Sequence, residues 1–299
     1  MIRKLRGLAS LGALLLLVLL LSLSLAPSSA SASALRVCQS DTARYAYRMA
    51  LVRQILHRTQ LPGEPALDLQ AFAEGPDPTQ ERCLALLRER KVHLVYMPPT
   101  AERLAEFDAI PFDLHQGMLG YRLLLINRRD QALFAKVRSL DDLRQLKGGF
   151  GSQWSDYRLF ELNRLPVMGA GNAETLLAML EAGRFHYFHR GLHEAWAELE
   201  QHADKRHLMV DPHLALVYPN PVYLMFHKDD TELRRRFEQG LKRMRSDGSF
   251  EALFRAHFAD TIARAQLKKR RLIYLKSTPS GRATPYAAPA RGRPHQRPN

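Results

Sequence analysis

Short apolar runs alternate with longer segments whose apolar residues recur at helical spacing, and this alternation constrains the fold more than any other feature. Segment 45–57 is typical: Met49, Val52, Ile55 and Leu56 repeat at helical intervals before a Leu-Pro-Gly stop. Strands separated by helices of this length are typical of βαβ units. The sequence therefore predicts an α/β fold with mostly parallel strands.

The same pattern extends along most of the chain. Strands are predicted at 35–38, 67–72, 92–97, 119–127, 148–152, 166–168, 185–189, 214–218 and 222–226. Helices are predicted at 45–57, 79–90, 139–143, 155–163, 173–182, 192–200, 232–245 and 250–267. Ser139 stands three residues before Asp142, an N-cap arrangement that favours a helix start there.

The first 34 residues have the order of features of a secretory signal peptide. Arg3, Lys4 and Arg6 precede an apolar run at 11–25, and small residues follow it up to Ala34. The run is shorter than the ~20 residues that a membrane span needs. We therefore predict 1–34 as a signal peptide that is cleaved after Ala34, and a periplasmic location. An uncleaved N-terminal anchor is the alternative.

Positive charge is concentrated at the two ends of the chain. Of the net charge of +14, three charges lie in the first 34 residues and ten lie after residue 260, which leaves about one for the middle. A middle segment without a basic excess argues against nucleic acid as a partner. Segment 278–299 is rich in Pro, Gly, Ala and Arg without periodicity, so we predict a disordered basic tail. Such a tail can contact an anionic membrane surface or cell-wall polymer.

Two cysteines remain after the predicted cleavage, Cys38 and Cys83. An even number in an oxidising compartment permits one disulfide between them. Two buried, unpaired cysteines that act as small apolar residues are the alternative. Neither cysteine has metal-ligand spacing, and the common nucleophile, zinc and phosphate-loop motifs do not occur, so we predict no metal, no cofactor and no enzymatic activity.

Four short motifs resemble, in order, those of the periplasmic amino-acid-binding proteins of solute-binding family 3. They are TAERLAEF at 100–107, LDDL at 140–143 with GGFGS at 148–152, MLEAGRF at 179–185 and DGSFEAL at 247–253. Each motif alone is weakly specific, but the matches span about Leu35 to Phe258. The resemblance identifies the chain as similar to substrate-binding proteins of ABC transporters.

This resemblance implies a two-lobed, type II periplasmic-binding-protein fold. Lobe 1 comprises 35–126 and 222–277, and lobe 2 comprises 127–221. The strands at 119–127 and 222–226 are expected to be adjacent and to form the hinge between the lobes. A small-molecule ligand then binds in the cleft and favours the closed form of the two lobes.

The resemblance also implies where the ligand binds. Arg103, in the segment that Thr100 opens, matches the family's carboxylate-binding arginine, and a guanidinium gives two parallel donors to a carboxylate. Trp154, Ser155 and Asp156 lie where the family has a ligand-binding turn. Tyr45 and Tyr47 follow the first strand, where the family places aromatic residues against the ligand; if 45–57 is helical, one of the two faces away.

The chain departs from the family in the segment after Gly183. The family places an amine-binding carboxylate there, whereas this chain has Arg190 and His189. Arg190 can instead form a salt bridge between the lobes. The sequence therefore predicts a small polar, carboxylate-bearing ligand with extra negative charge or no amine, or a protein that has lost transport-type binding. A sensor or interaction domain acting through a membrane permease or another protein partner is the alternative, and a periplasmic dehydratase is less favoured.

We expect the mature protein to begin at Leu35, because the three parts of the signal peptide stand in the required order. Mass spectrometry of the protein from the periplasmic fraction measures this directly. Material that retains Met1 and stays in the membrane fraction would contradict cleavage and favour the anchor.

Overall fold

A computed structural model describes residues 34–39, 45–72 and 78–277. The predicted tail and all of the predicted signal peptide except Ala34 lie outside these residues. Among the described residues, no helix is both long enough and apolar enough to cross a bilayer.

Strands and helices alternate along most of the described chain, as the apolar pattern predicts. The strands are β1 (Ala34–Val37), β2 (Asp68–Ala71), β3 (Leu94–Met97), β4 (Asp108–Ile110), β5 (Tyr121–Asn127), β6 (Gly148–Gly151), β7 (Val167–Ala170), β8 (Tyr187–Gly191), β9 (Leu208–Val210), β10 (Leu214–Val217), β11 (Tyr223–Phe226) and β12 (Arg271–Tyr274). The helices are α1 (Ala46–Thr59), α2 (Gln80–Arg88), α3 (Ala101–Glu106), α4 (Gln131–Lys136), α5 (Leu140–Arg144), α6 (Tyr157–Leu162), α7 (Ala173–Glu181), α8 (Leu192–Gln201), α9 (Thr231–Ser246) and α10 (Ser249–Ala265).

These strands form two separate sheets. The first sheet has the order β2-β1-β3-β11-β4, and the second has the order β12-β10-β5-β8-β6-β7 with β9 also paired to β5. In the first sheet β1 is parallel to β2 and β3, and in the second β6 is parallel to β7 and β8. The predicted α/β class is confirmed, and the two sheets agree with the predicted two-lobed fold.

The chain passes between the sheets at places that differ from the predicted hinge. Strands 119–127 and 222–226 were expected to be adjacent, but β5 lies in the second sheet and β11 in the first, and β5 pairs with β10 instead. Both strands are almost entirely buried within their own sheets, so neither can bridge the two. The connections are the segments 111–120 and 218–222.

The two connections are hydrogen-bonded to each other. Leu114 N–H donates to Val222 O at 3.0 Å, and Tyr218 N–H donates to Gly120 O at 3.1 Å. A Cβ atom at Gly120 would lie 2.8 Å from the carbonyl oxygen of Tyr218, so only glycine fits this approach. These hydrogen bonds, and the close approach that Gly120 allows, fix the position at which the two sheets meet.

A third connection follows α10 and corrects the predicted extent of lobe 1. Segment 222–277 was assigned to that lobe, but β12 pairs in parallel with β10 at the edge of the second sheet. Arg270 secures the crossing by donating to the carbonyl oxygens of Asp211 and Leu214. Ile273 is buried in the second sheet's apolar cluster, and this burial favours the added strand.

Asn163 clamps the end of this third connection. Its side chain is buried, its Nδ2 donates to Lys276 O at 2.7 Å, and its Oδ1 accepts from Lys276 N–H at 2.8 Å. The same Nδ2 also donates to Leu159 O at 2.7 Å. One amide therefore satisfies three backbone groups that join β12 to α6.

A disulfide joins Cys38, just after β1, to Cys83 in α2. Both residues are buried in an apolar cluster with Leu84, Leu87 and Val95. The disulfide ties the end of the first strand to the helix that packs beside it.

Replacing both cysteines by alanine is expected to lower the free energy of unfolding by about 3–4 kcal/mol, because the disulfide closes a loop with a sequence separation of 45. Denaturant unfolding of the oxidised protein and of the Cys38→Ala/Cys83→Ala variant measures the difference. Thiol counting on unfolded, unreduced wild type is the control, and two free thiols would contradict the bond.

Asn163→Ala is expected to lower the free energy of unfolding by about 1–3 kcal/mol, because it leaves buried backbone groups without partners. A chain that ends at Ser277 is the control and should unfold like the full-length protein, since it keeps the clamp and lacks only segment 278–299. An unchanged melting temperature in Asn163→Ala would show that the clamp contributes nothing.

Candidate functional site

A cavity of about 420 Å³ lies between the two sheets. Its walls are the segments that follow β1 and β3 in the first sheet and β6, β7 and β8 in the second, where ligands bind in open α/β sheets. The lining residues are Gln39, Tyr45, Arg48, Pro78, Thr79, Gln80, Tyr96, Met97, Pro98, Leu119, Arg122, Gln153, Trp154, Ser155, Asp156, Gly171, Asn172, Ala173, Arg190, His193, Glu194, Asn220 and Val222.

Arg48 is the charged side chain on the first-sheet wall. It lies in the first turn of α1, and its guanidinium carbon stands 5.5 Å from the ring centre of Tyr45 and 5.1 Å from that of Tyr96. Its Nε donates to His115 Nε2 at 3.4 Å. Within the described residues Arg48 forms no ion pair with a carboxylate. The two rings and the histidine hold a planar cation at the edge of the cavity.

Asp156 is a carboxylate on the opposite, second-sheet wall. Its Oδ2 accepts from the Tyr218 hydroxyl at 2.7 Å and lies 3.8 Å from Nε2 of His189. Burial alone would raise the pKa of Asp156, but the adjacent His189 ring, the positive charge of Arg122 and the hydrogen bond from Tyr218 outweigh it and hold the pKa at about 2. Asp156 is therefore ionised at neutral pH.

His189 is buried between aromatic rings and stays neutral. Its ring centre lies 4.7 Å from that of Phe150 and 4.6 Å from that of Phe160. Burial lowers the pKa of His189 to about 4, although Asp156 acts in the opposite direction. A neutral imidazole adds no positive charge beside Asp156.

Arg190 is buried in β8, and two carboxylates from α8 neutralise it. Its guanidinium lies 3.2 Å from Glu194 Oε1 and also contacts Glu198. Glu194 further accepts from Gly191 N–H at 2.9 Å and lies 4.0 Å from Arg122. Two carboxylates, Glu194 and Asp156, and two guanidinium groups, Arg122 and Arg190, line this wall, and Glu198 adds a third carboxylate behind it.

Trp154 forms an aromatic face of the same wall. Arg190 lies over its ring at 5.3 Å, and the ring stacks on Phe188 with centres 5.9 Å apart. The indole also lies across the backbone of β6, where a Cβ atom at Gly151 would stand 2.3 Å from it. Glycine at this position therefore lets the indole lie flat against the strand.

Arg103, the residue predicted to anchor the ligand, lies behind the cavity lining instead. It is 7% exposed, its NH1 donates to Pro98 O at 2.8 Å and its NH2 donates to Gln80 Oε1 at 2.7 Å. Thr100 caps α3 by accepting from Arg103 N–H. Both acceptors of Arg103 belong to lining residues, so the guanidinium supports the wall from behind.

The other predicted site residues divide between two cavities. Trp154, Ser155, Asp156, Arg190 and Tyr45 all line the main cavity. Tyr47 faces away from it, as helical spacing requires, and lines a smaller cavity of about 210 Å³ beside His257 and Phe258. Its hydroxyl donates to Leu114 O at 2.7 Å.

Sequence reasoning missed Arg48 and Glu194. Arg48 follows Tyr45 by three residues, about one helical turn, so the two side chains lie on the same side of the start of α1. Glu194 lies three residues beyond Gly191 and accepts from the Gly191 N–H at the start of α8. Segment 185–191 itself has no carboxylate, and Glu194 brings one to this part of the cavity from the next helical turn.

Three or more His, Cys, Asp or Glu side chains do not come together as a metal site anywhere in the described residues. The chemistry of the cavity is that of opposed fixed charges, aromatic faces and amide groups.

No family model and no curated protein matches the sequence. Solved structures do match the fold. An ancestral arginine-binding protein bound to arginine superposes with a TM-score of 0.56 at 15% identity, over 76% of this chain and 98% of that one. An amino acid ABC transporter substrate-binding protein from Streptococcus pneumoniae bound to L-arginine gives 0.57 at 16% identity, over 77% and 96%.

A histidine kinase sensor domain with similarity to periplasmic binding proteins matches as well, with a TM-score of 0.56 at 15% identity over 75% of this chain and 94% of that chain. The three neighbours are almost wholly covered, so the likeness of fold extends over the complete two-sheet unit. The chain therefore has the two-lobed fold of the periplasmic solute-binding proteins.

Proposed function

We propose that the protein is an extracytoplasmic solute-binding protein that captures a small zwitterion of the amino-acid type. The observation that carries this proposal is the pair of unlike charges across the cavity, Arg48 on the first-sheet wall and ionised Asp156 on the second. This replaces the expectation of a ligand without an amine, which depended on a missing carboxylate.

Arg48 is the proposed partner of the ligand carboxylate. Its guanidinium carbon lies near the rings of Tyr45 and Tyr96, and only its Nε donates to a described residue, so its other N–H groups are available to a ligand. A guanidinium donates two parallel hydrogen bonds to a carboxylate and stays charged at any physiological pH. The rings also limit the rotamers of the side chain, so little entropy is lost when it binds.

Asp156 is the proposed partner of the ligand amine. Both of its contacts, from Tyr218 and His189, are to Oδ2. Oδ1 makes no hydrogen bond to the described residues and can accept one from an ammonium group. Because the pKa of Asp156 is about 2, this acceptor keeps its charge across the pH range of a bacterial envelope.

A ligand held at both walls links the two sheet units. The closed form is stabilised by contacts that the ligand makes only when both walls approach it. A partner protein that recognises the closed form then responds to the bound ligand. The partner is a membrane permease in a transport role. The second candidate is a sensor role through a membrane protein, which the match to a histidine kinase sensor domain favours. We propose binding and not catalysis in both cases.

Arg48→Ala is expected to weaken binding of the preferred amino acid about tenfold to a hundredfold, because a charge-assisted hydrogen bond contributes about 1.5–3 kcal/mol. The standard L-amino acids are first screened by thermal shift, and the best of them is then titrated calorimetrically. Asp156→Asn should cause a loss of similar size. Arg53→Ala, an exposed arginine on the same helix, is the matched control and should bind like wild type.

Two analogues of the best amino acid separate the two contacts. The decarboxylated analogue should bind wild type and Arg48→Ala with equally low affinity. The N-acetyl derivative should bind wild type and Asp156→Asn with equally low affinity. Full affinity in Arg48→Ala would remove Arg48 from the site. No stabilisation by any amino acid would count against the proposed function and favour an interaction domain that acts through a protein partner.

A further inference from the structure

Gln39 is a buried polar residue whose amide oxygen has no partner. The side chain is 7% exposed and lines the main cavity, and its Oε1 makes no hydrogen bond to any described residue. Leaving a buried acceptor unpaired costs about 1–3 kcal/mol, so such groups are rare in folded proteins. An unpaired acceptor that faces a binding cavity indicates a donor on the ligand.

The disulfide holds Gln39 close to a second glutamine. Gln39 follows Cys38, and Cys38 is bonded to Cys83 with the two Cα atoms 5.5 Å apart. Gln80 stands one helical turn before Cys83 and also lines the cavity. The bond therefore fixes the end of β1 beside the start of α2, and both amides belong to the same part of the first-sheet wall.

Arg103 sets the direction of the Gln80 amide. The guanidinium can only donate, so the oxygen of Gln80 must face it, as the 2.7 Å contact from NH2 to Oε1 shows. The Nε2 donors of Gln80 are then turned away from Arg103. Arg103 itself is fixed by Pro98 O at 2.8 Å and by Glu81 at 3.7 Å. The buried arginine thus acts as a positioning residue.

We propose that Gln39 and Gln80 select the distal group of the ligand, and that this group is an uncharged carboxamide such as the side chain of glutamine or asparagine. The inference rests on the proposed function, in which Arg48 and Asp156 hold the other end of the ligand. An acceptor on Gln39 and donors on Gln80 complement the N–H and C=O groups of a carboxamide.

Charged side chains fit this pair of amides less well. A ligand carboxylate has acceptors only, so it would leave Gln39 Oε1 unpaired and place two acceptors together. An ammonium or guanidinium group has donors only and would face the Nε2 donors of Gln80. An apolar chain of the same length would leave both amides unpaired, which sites built for hydrogen bonding reject strongly.

Calorimetric titration of wild type with L-glutamine, L-asparagine, L-glutamate, L-lysine and L-methionine tests the inference. One of the two carboxamides should bind at least about tenfold more tightly than glutamate, lysine and methionine. Gln39→Met should reduce this preference over methionine by about tenfold or more. Gln145→Met, at an exposed glutamine outside the cavity, is the control and should keep the preference.

The ligand series separates this inference from the proposed function. Tighter binding of glutamate, lysine or methionine than of both carboxamides would overturn the inference and leave the zwitterion site intact. Absence of binding by all five would overturn the inference, whereas the proposed function fails only if none of the standard amino acids stabilises the protein. The order of affinities in wild type decides the matter even if Gln39→Met fails to fold, and an unchanged preference in a folded Gln39→Met would remove Gln39 from the site.

Discussion

The hydrogen bonds between the two crossing segments determine where every other part of the site lies. Leu114 with Val222, and Tyr218 with Gly120, join the connections at one point between the sheets. The approach is so close that a side chain at Gly120 would collide with the Tyr218 carbonyl. Tyr218 also donates its hydroxyl hydrogen bond to Asp156, so this residue connects the crossing point to the second-sheet wall of the cavity.

Charge is distributed so that most of it is neutralised within the protein. Arg190 is satisfied by Glu194 and Glu198, and Arg103 by backbone and amide oxygens. Arg48 on one wall and Asp156 on the other form no ion pair within 4 Å with an arginine, lysine or carboxylate of the described residues, and both line the cavity. The desolvation free energy of these buried charges is spent when the protein folds, and their contacts hold the side chains in place. Side chains that are already fixed lose less conformational entropy when a ligand binds.

The apolar pattern predicted most helices and strands, because burial at 2.0- and 3.6-residue periods leaves a local signature. Strand β12 was missed although its Leu-Ile-Tyr run is apolar, because its partner β10 is more than fifty residues away in the sequence. The motif around Arg103 identified the fold but gave the wrong side-chain direction. The direction depends on Pro98 O and Gln80, which are contacts that no local pattern encodes. Arg48 and Gln39 depend in the same way on tertiary neighbours.

A crystal structure of the protein with the amino acid that stabilises it most tests the central claim directly. We expect the ligand to lie between the two sheets, with its carboxylate about 3 Å from the Arg48 guanidinium and its amine at a similar distance from Asp156 Oδ1. A ligand carboxylate bound by Arg103, or a ligand seated outside this cavity, would contradict the account.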